Sequence, residues 1–202
     1  MSQQENIIPS QDSGIQTNTE SAEELATEKG AKEFYVTVCK RLIDINNWQQ
    51  YAGKATASFQ LTDKSGKEVE RDPQKGDHLK IDIPGPGSVS GQGFDWVQIE
   101  AIEKDQDEKT QWTAMRVRPA TSPLNEKEDV AHFFSDDTTS TFMVRQEGKQ
   151  VIAGVYGRNE KPNTNTETTI DKIRNTAIAT GAISGFSKIQ WKSLVNGLVK
   201  KE

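Results

Sequence analysis

The spacing of hydrophobic positions changes twice along the chain and divides it into helix, strands and helix. Phe34, Val38, Leu42 and Ile45 recur at intervals of three and four, the repeat of one helix face, and the pattern fades near Asn46-Asn47. Upstream, Ser21-Ala22-Glu23-Glu24 has the form of a capping box and predicts a helix start, with Gly30 interrupting or kinking the run. Glu33–Val38 also reads as a short strand, because Phe-Tyr-Val-Thr-Val is rich in β-formers. Continuation of the helical face through Arg41-Leu42-Ile43 favours helix.

From Ala55 the interval is two. Ala55, Ala57, Phe59 and Leu61 alternate with Thr56, Ser58, Gln60 and Thr62, as a half-buried strand requires. Lys64-Ser65-Gly66 then turns the chain toward Lys67–Glu70, a hairpin partner. Leu79, Ile81 and Ile83 mark another strand, stopped at Pro84-Gly85-Pro86-Gly87, where each Pro removes a donor. Trp96–Glu103 and Gln111–Arg118 form the next ribbon around a polar turn, and a charged loop covers about 120–138. Ser140–Arg145 and Gln150–Tyr156 make a last hairpin across Gln146-Glu147-Gly148-Lys149. Helical spacing then resumes. Thr168 can cap a helix carrying Ile170, Ile173, Ala177 and Ile178, broken by Gly181 and Gly185. Ser187 opens a second, whose Trp191, Leu194, Val195, Leu198 and Val199 follow an i, i+3, i+4, i+7, i+8 stripe.

Helix, then about seven strands joined by short turns over 55–157, then two helices, predicts an α+β fold. Its sheet should be mainly antiparallel, and curved or closed into a partial barrel, which reduces exposed edges. Strands never alternate with helices, which argues against a doubly wound parallel sheet.

Charge changes the picture at one end only. Of 30 acidic residues, five (Glu5, Asp12, Glu20, Glu23, Glu24) lie in 1–24, which has no Lys or Arg, so the rest of the chain balances its 25 bases. That acidic, Gln/Ser/Asn/Thr-rich stretch has only Ile7, Ile8 and Ile15 as sizeable apolar groups. It reads as an arm, disordered unless docked on a partner, ahead of a single α+β domain over 25–202. Mean hydropathy is −0.75, and Met1-Ser2-Gln3-Gln4-Glu5 lacks the basic start and apolar stretch of a signal peptide. A single cysteine cannot form an internal disulfide, and cytoplasmic residence is the expectation.

Most recognisable chemistry is missing. His78, His132 and Cys39 fall on different elements without zinc spacing, so no metal and no cofactor is expected. His132 near Asp136 and Asp137 reads as part of a solvated loop, and Cys39 beside Val38 as a small buried thiol. Gly85-Pro86-Gly87-Ser88-Val89-Ser90-Gly91 resembles a phosphate loop but misplaces its third Gly and precedes a strand. It reads as a surface turn, or a lid over a pocket. A neutral globular part offers no basic stripe for nucleic acid, and no apolar run approaches the length needed to span a bilayer.

Candidate ligand- or partner-binding residues come from two places. Asp95 and Trp96 sit where the Gly-rich segment meets a strand. Tyr156 ends the last strand, and Arg158, Asn159 and Glu160 lie beside it on the connection to the following helix. The first functional reading is a non-catalytic interaction protein, a subunit of a homo- or hetero-assembly that associates through residues 1–24. The alternative is a small-molecule binder with a pocket between the curved sheet and a C-terminal helix, and the order of elements resembles the helix-grip architecture. An enzyme without a readable motif is the least favoured. At 33% hydrophobic residues, few apolar side chains are spare to line a large empty cavity.

Overall fold

The computed structural model describes residues 7–53, 57–83, 87–107, 110–125, 129–165, 169–181 and 187–201. Its strands are β1 (Ile15–Glu24), β2 (Ser58–Thr62), β3 (His78–Asp82), β4 (Asp95–Gln106), β5 (Thr110–Pro119), β6 (Thr139–Glu147) and β7 (Gln150–Glu160). The helices are α1 (Glu28–Ile43), α2 (Trp48–Ala52), α3 (Thr169–Gly181) and α4 (Ser187–Leu198). The strands form one curved, open antiparallel sheet in the order β1-β7-β6-β5-β4-β3-β2. From β2 onward each strand pairs with the next, whereas β1 pairs with the last. The chain therefore crosses the whole sheet between β1 and β2, and α1 and α2 make that crossing.

One face of the sheet, here the inner face, meets the helices. Phe59, Leu61, Leu79, Val97, Val144 and Val155 pack there with Val38, Leu42 and Trp48, and with Leu194, Val195 and Leu198 of α4. Trp48 is fully buried, its Nε1 donating to the Leu42 carbonyl at 3.0 Å and its ring 4.7 Å from that of Phe142. Arg41 reaches from α1 to the end of α4, where Nη1 donates to the carbonyls of Leu198 (2.9 Å) and Lys200 (2.7 Å). The charge thereby satisfies carbonyls that the helix leaves free. On the outer face Ile7 covers Trp112, Ala114, Met143 and Tyr156. No helix among the described residues is long and apolar enough to cross a membrane.

Several expectations change. The Ser21 capping box is not a helix start: strand β1 runs to Glu24, and Thr27 caps α1, its side chain accepting from Gly30 N at 3.0 Å. Gly30 thus lies in the first turn of α1 rather than breaking it, and Glu33–Val38 is helix. Residues 15–24, expected as an arm that orders on a partner, are an edge strand on β7. Lys192 Nζ of α4 also donates to the Glu20 carbonyl at 2.7 Å. Lys67–Glu70 contributes only a bridge at Glu68, because β2 has β3 as its ladder partner. The 120–138 loop is not wholly solvated, since Ala131, His132 and Phe134 are buried. Ala55, Pro84, Gly85, Pro86, Thr168 and Gly185 lie outside the described residues.

Candidate functional site

The inner face is incompletely filled at the end of β7. A cleft of about 40 Å³ remains there, walled on the sheet side by Leu79, Ile81, Val97 and Val117. Aromatic rings close it: Phe59 and Phe142 from the sheet, Phe133 and Phe134 from the loop before β6, and Trp191 from α4. Three polar side chains also line it, those of Ser140, His132 and Glu160.

Glu160 reaches the cleft through a local departure from strand geometry. Asn159 is left-handed (φ 56°), a conformation Asn tolerates better than most residues. Its side chain holds the segment before β1, with Oδ1 accepting from Asp12 N (2.8 Å) and Ser13 N (3.0 Å). The Glu160 carboxylate lies over Gly157, where a Cβ would collide with Glu160 Oε1 and with Thr17 Oγ1. Glu160 is 3% exposed. Its Oε1 accepts from Thr17 Oγ1 at 2.9 Å, and its Oε2 has no hydrogen-bond partner among the described residues. Burial pushes this carboxyl above the usual range, against the opposing pull of the Thr17 bond and the Arg158 charge. Arg158 itself donates through Nη1 to the carbonyls of Thr17 and Gly157 and to Asn18 Oδ1.

His132 is buried and stacked on Phe133, ring centroids 4.3 Å apart. Its Nδ1 accepts from Phe134 N at 2.9 Å, which places the proton of the neutral ring on Nε2. Burial, helped by the nearby Arg174 charge, pushes its pKa down to about 3. The loop carrying it is fixed by α3. Arg174 makes a buried ion pair with Asp95, and Asp95 Oδ1 accepts from Phe133 N at 3.0 Å. Asn175 Nδ2 donates to the Asn163 carbonyl (3.0 Å), and Asn163 Nδ2 to those of Val130 (3.0 Å) and His132 (3.1 Å). One turn earlier, Asp171 accepts from Val89 N (2.9 Å), Ser90 N (3.1 Å) and Ser90 Oγ (2.9 Å). Of the segment expected as a surface turn or lid, the described residues 87–91 are thus partly buried and tied down.

Of the six residues singled out in the sequence, Glu160 alone lines the cleft. Asp95 serves the α3 network, and Trp96 is fully buried with Nε1 donating to the Gly91 carbonyl at 3.2 Å. Tyr156 lies on the outer face, donating to Glu20 and accepting from Arg145 Nη1 at 2.6 Å. Arg158 and Asn159 bond to β1 and to the segment ahead of it. Sequence reasoning missed His132, Phe133, Phe134, Ser140 and Trp191 as cleft residues. The signal it had was the His-Phe-Phe run inside a charged loop, too apolar to stay in water.

A seven-stranded antiparallel sheet curved about a C-terminal helix is a helix-grip arrangement, and that is the class the fold defines. No protein-family model and no curated protein matches the sequence. Among solved structures, the chain is similar to hypothetical protein jhp0584 from Helicobacter pylori, with TM-score 0.49 and 12% identity over 93% of this chain and 87% of that one. It is also similar to Ara h 8.0201 (0.38, 14%, 93% and 100%) and to a truncated norcoclaurine synthase from Thalictrum flavum (0.39, 10%, 96% and 100%). These are likenesses of backbone outline, and the cleft is read from this chain's own residues.

Proposed function

We propose that the protein binds a small, largely apolar molecule in the cleft between the inner sheet face and α4. What supports this reading is the composition of the cleft: aliphatic and aromatic walls on which three polar side chains converge, the chemistry of a ligand site. Ligand pockets run to roughly 300–1,000 Å³, whereas about 40 Å³ holds about two or three waters at roughly 15 Å³ each. Binding therefore requires the wall of Phe133, Phe134 and Trp191 to move outward, and affinity is reduced by the fraction of molecules so opened. Association through residues 1–24 has less support, because Ile15–Glu24 pair with β7 of their own chain.

A titration with 2-phenylethanol followed by NMR tests the reading. Saturable shifts should appear at the Trp191 indole and the Val117 methyls, and Val117→Phe, which fills the cleft, should abolish them. An unsaturable response, or shifts centred on another surface, would refute it.

A further inference from the structure

The unpartnered oxygen of Glu160 bears on which molecule the cleft takes. We propose that its ligand is an organic amine, protonated at neutral pH and carried on an aryl or alkyl body, with the ammonium against Glu160 Oε2 and the body among the aromatic rings. This rests on the small-molecule reading above and adds the ligand's charge and chemistry.

An ionised carboxylate is acceptor-only, and a buried one needs a cation or several donors. Thr17 supplies one donor to Oε1. Gly157 is the residue that makes room for the group, because any Cβ there would evict it, so the carboxylate occupies a niche shaped for it on the sheet. The neighbouring cations make their hydrogen bonds elsewhere, although the Arg158 charge still acts on the carboxylate across space. Arg158 donates to backbone and to Asn18, and Arg174 is paired with Asp95. His132 stays neutral at physiological pH and so brings no competing positive charge to the cleft. Glu160 is thus the charged side chain among those that line the cleft.

Ligand classes then separate by physics. An anion would meet the carboxylate at short range in a water-poor site and be repelled. A purely apolar molecule would offer Oε2 no donor and leave it unpaired, which costs affinity. An alcohol donates one hydrogen bond and brings no counter-charge. An ammonium offers up to three donors and the counter-charge, and the faces of Trp191, Phe133 and Phe142 attract a cation through their quadrupoles.

Three probes of similar shape test this on the full chain by NMR titration: 2-phenylethylammonium, 2-phenylethanol and 3-phenylpropionate. The amine should bind at least tenfold more tightly than the alcohol, with the carboxylate weakest. Glu160→Gln, which keeps an acceptor for Thr17, should weaken the amine at least tenfold, a much larger loss than the alcohol's. Gly157→Ala, by displacing the carboxylate, should also weaken the amine selectively. The wild-type order of affinities decides the matter alone should either variant fail to fold. Equal binding of amine and alcohol, or an amine affinity untouched by Glu160→Gln, would overturn the amine assignment and leave the cleft reading standing. Binding by none of the three would overturn both.

Discussion

The cleft wall depends on the buried pair Asp95–Arg174, and removing one partner should have a different result from removing both. Asp95 is fully buried and the Arg174 side chain is 4% exposed. Both guanidinium Nη atoms reach the carboxylate, whose Oδ1 also holds Phe133 N. Arg174→Met leaves an uncompensated buried carboxylate, a loss of about 3–5 kcal/mol out of a total stability of about 5–15 kcal/mol. With a urea m-value near 2 kcal/mol/M, the midpoint should fall by about 1.5–2.5 M. Asp95→Asn leaves the opposite charge buried and should be of similar size. The double variant removes both charges while Asn still accepts from Phe133 N, so its loss should be about 1–2 kcal/mol, well short of the sum of the singles. Because Asp171 and Asn175 fasten α3 to the same loops, amide exchange in 169–181 should rise before that of the sheet in the single variants. Urea unfolding of all four proteins completes the cycle. Additivity to within about 0.5 kcal/mol would refute the view that the two charges act as one unit.

Two further outcomes follow from the packing. His132 has a folded pKa of about 3 against 6.5 when exposed, so the native state excludes its proton. Stability from this group is complete above about pH 6.5 and is lost as pH falls toward 3, at about 1.4 kcal/mol per pH unit. Between pH 7 and pH 5 the wild type should lose about 2 kcal/mol more than His132→Asn, whose carbonyl still serves Phe134 N, and equal losses in urea titrations would contradict this. Gly197→Ala in α4 would gain about 1 kcal/mol from helix propensity alone, yet its Cβ would collide with the Tyr51 carbonyl of α2. The melting temperature should therefore drop by an overpacking loss of about 1–3 kcal/mol, and a rise would show that the helices do not approach this closely.

The ribbon of antiparallel strands was legible because period-two alternation reports a sheet with one face on a core, and β2 (Phe59, Leu61), β3 (Leu79, Ile81) and β4 (Val97, Ile99, Ala101) have it. Helix α4 was legible through its stripe at 191, 194, 195, 198 and 199, four of whose members are now buried. Strand β1 was not. In Ile15–Glu24 the buried member is Thr19, so the segment is polar on both faces and is held by backbone pairing with β7 and by Lys192, which leave no trace in hydrophobic periodicity. The cleft was half legible. Glu160 stood out as an acid on a strand-to-helix connection, but its niche needs Gly157 and a left-handed Asn159, and its aromatic neighbours come from four separate stretches of chain. Asp95 and Arg174 are 79 residues apart, a distance at which no local pattern couples them.

How the fold treats its other buried acids gives Glu160 its meaning. Four acids are buried among the described residues: Asp77, Asp95, Asp171 and Glu160. Asp77 accepts two bonds from Arg71, at 2.6 and 3.0 Å, and one from Gln74 N. Asp95 has Arg174 and an amide, and Asp171 has two amides and a hydroxyl. Asp95 and Asp171 join separate segments and Asp77 closes a local turn, so the burial of each is offset by structure it creates. Glu160 has a single hydroxyl and the field of Arg158; its other oxygen has no hydrogen-bond partner among the described residues, and the residue lines the cleft. Were its role purely structural, a Leu or Gln filling the same niche would remove an unmet charge and raise stability. A carboxylate kept dry, half-satisfied and ringed by aromatic faces is what a site looks like when its remaining partner comes from solution.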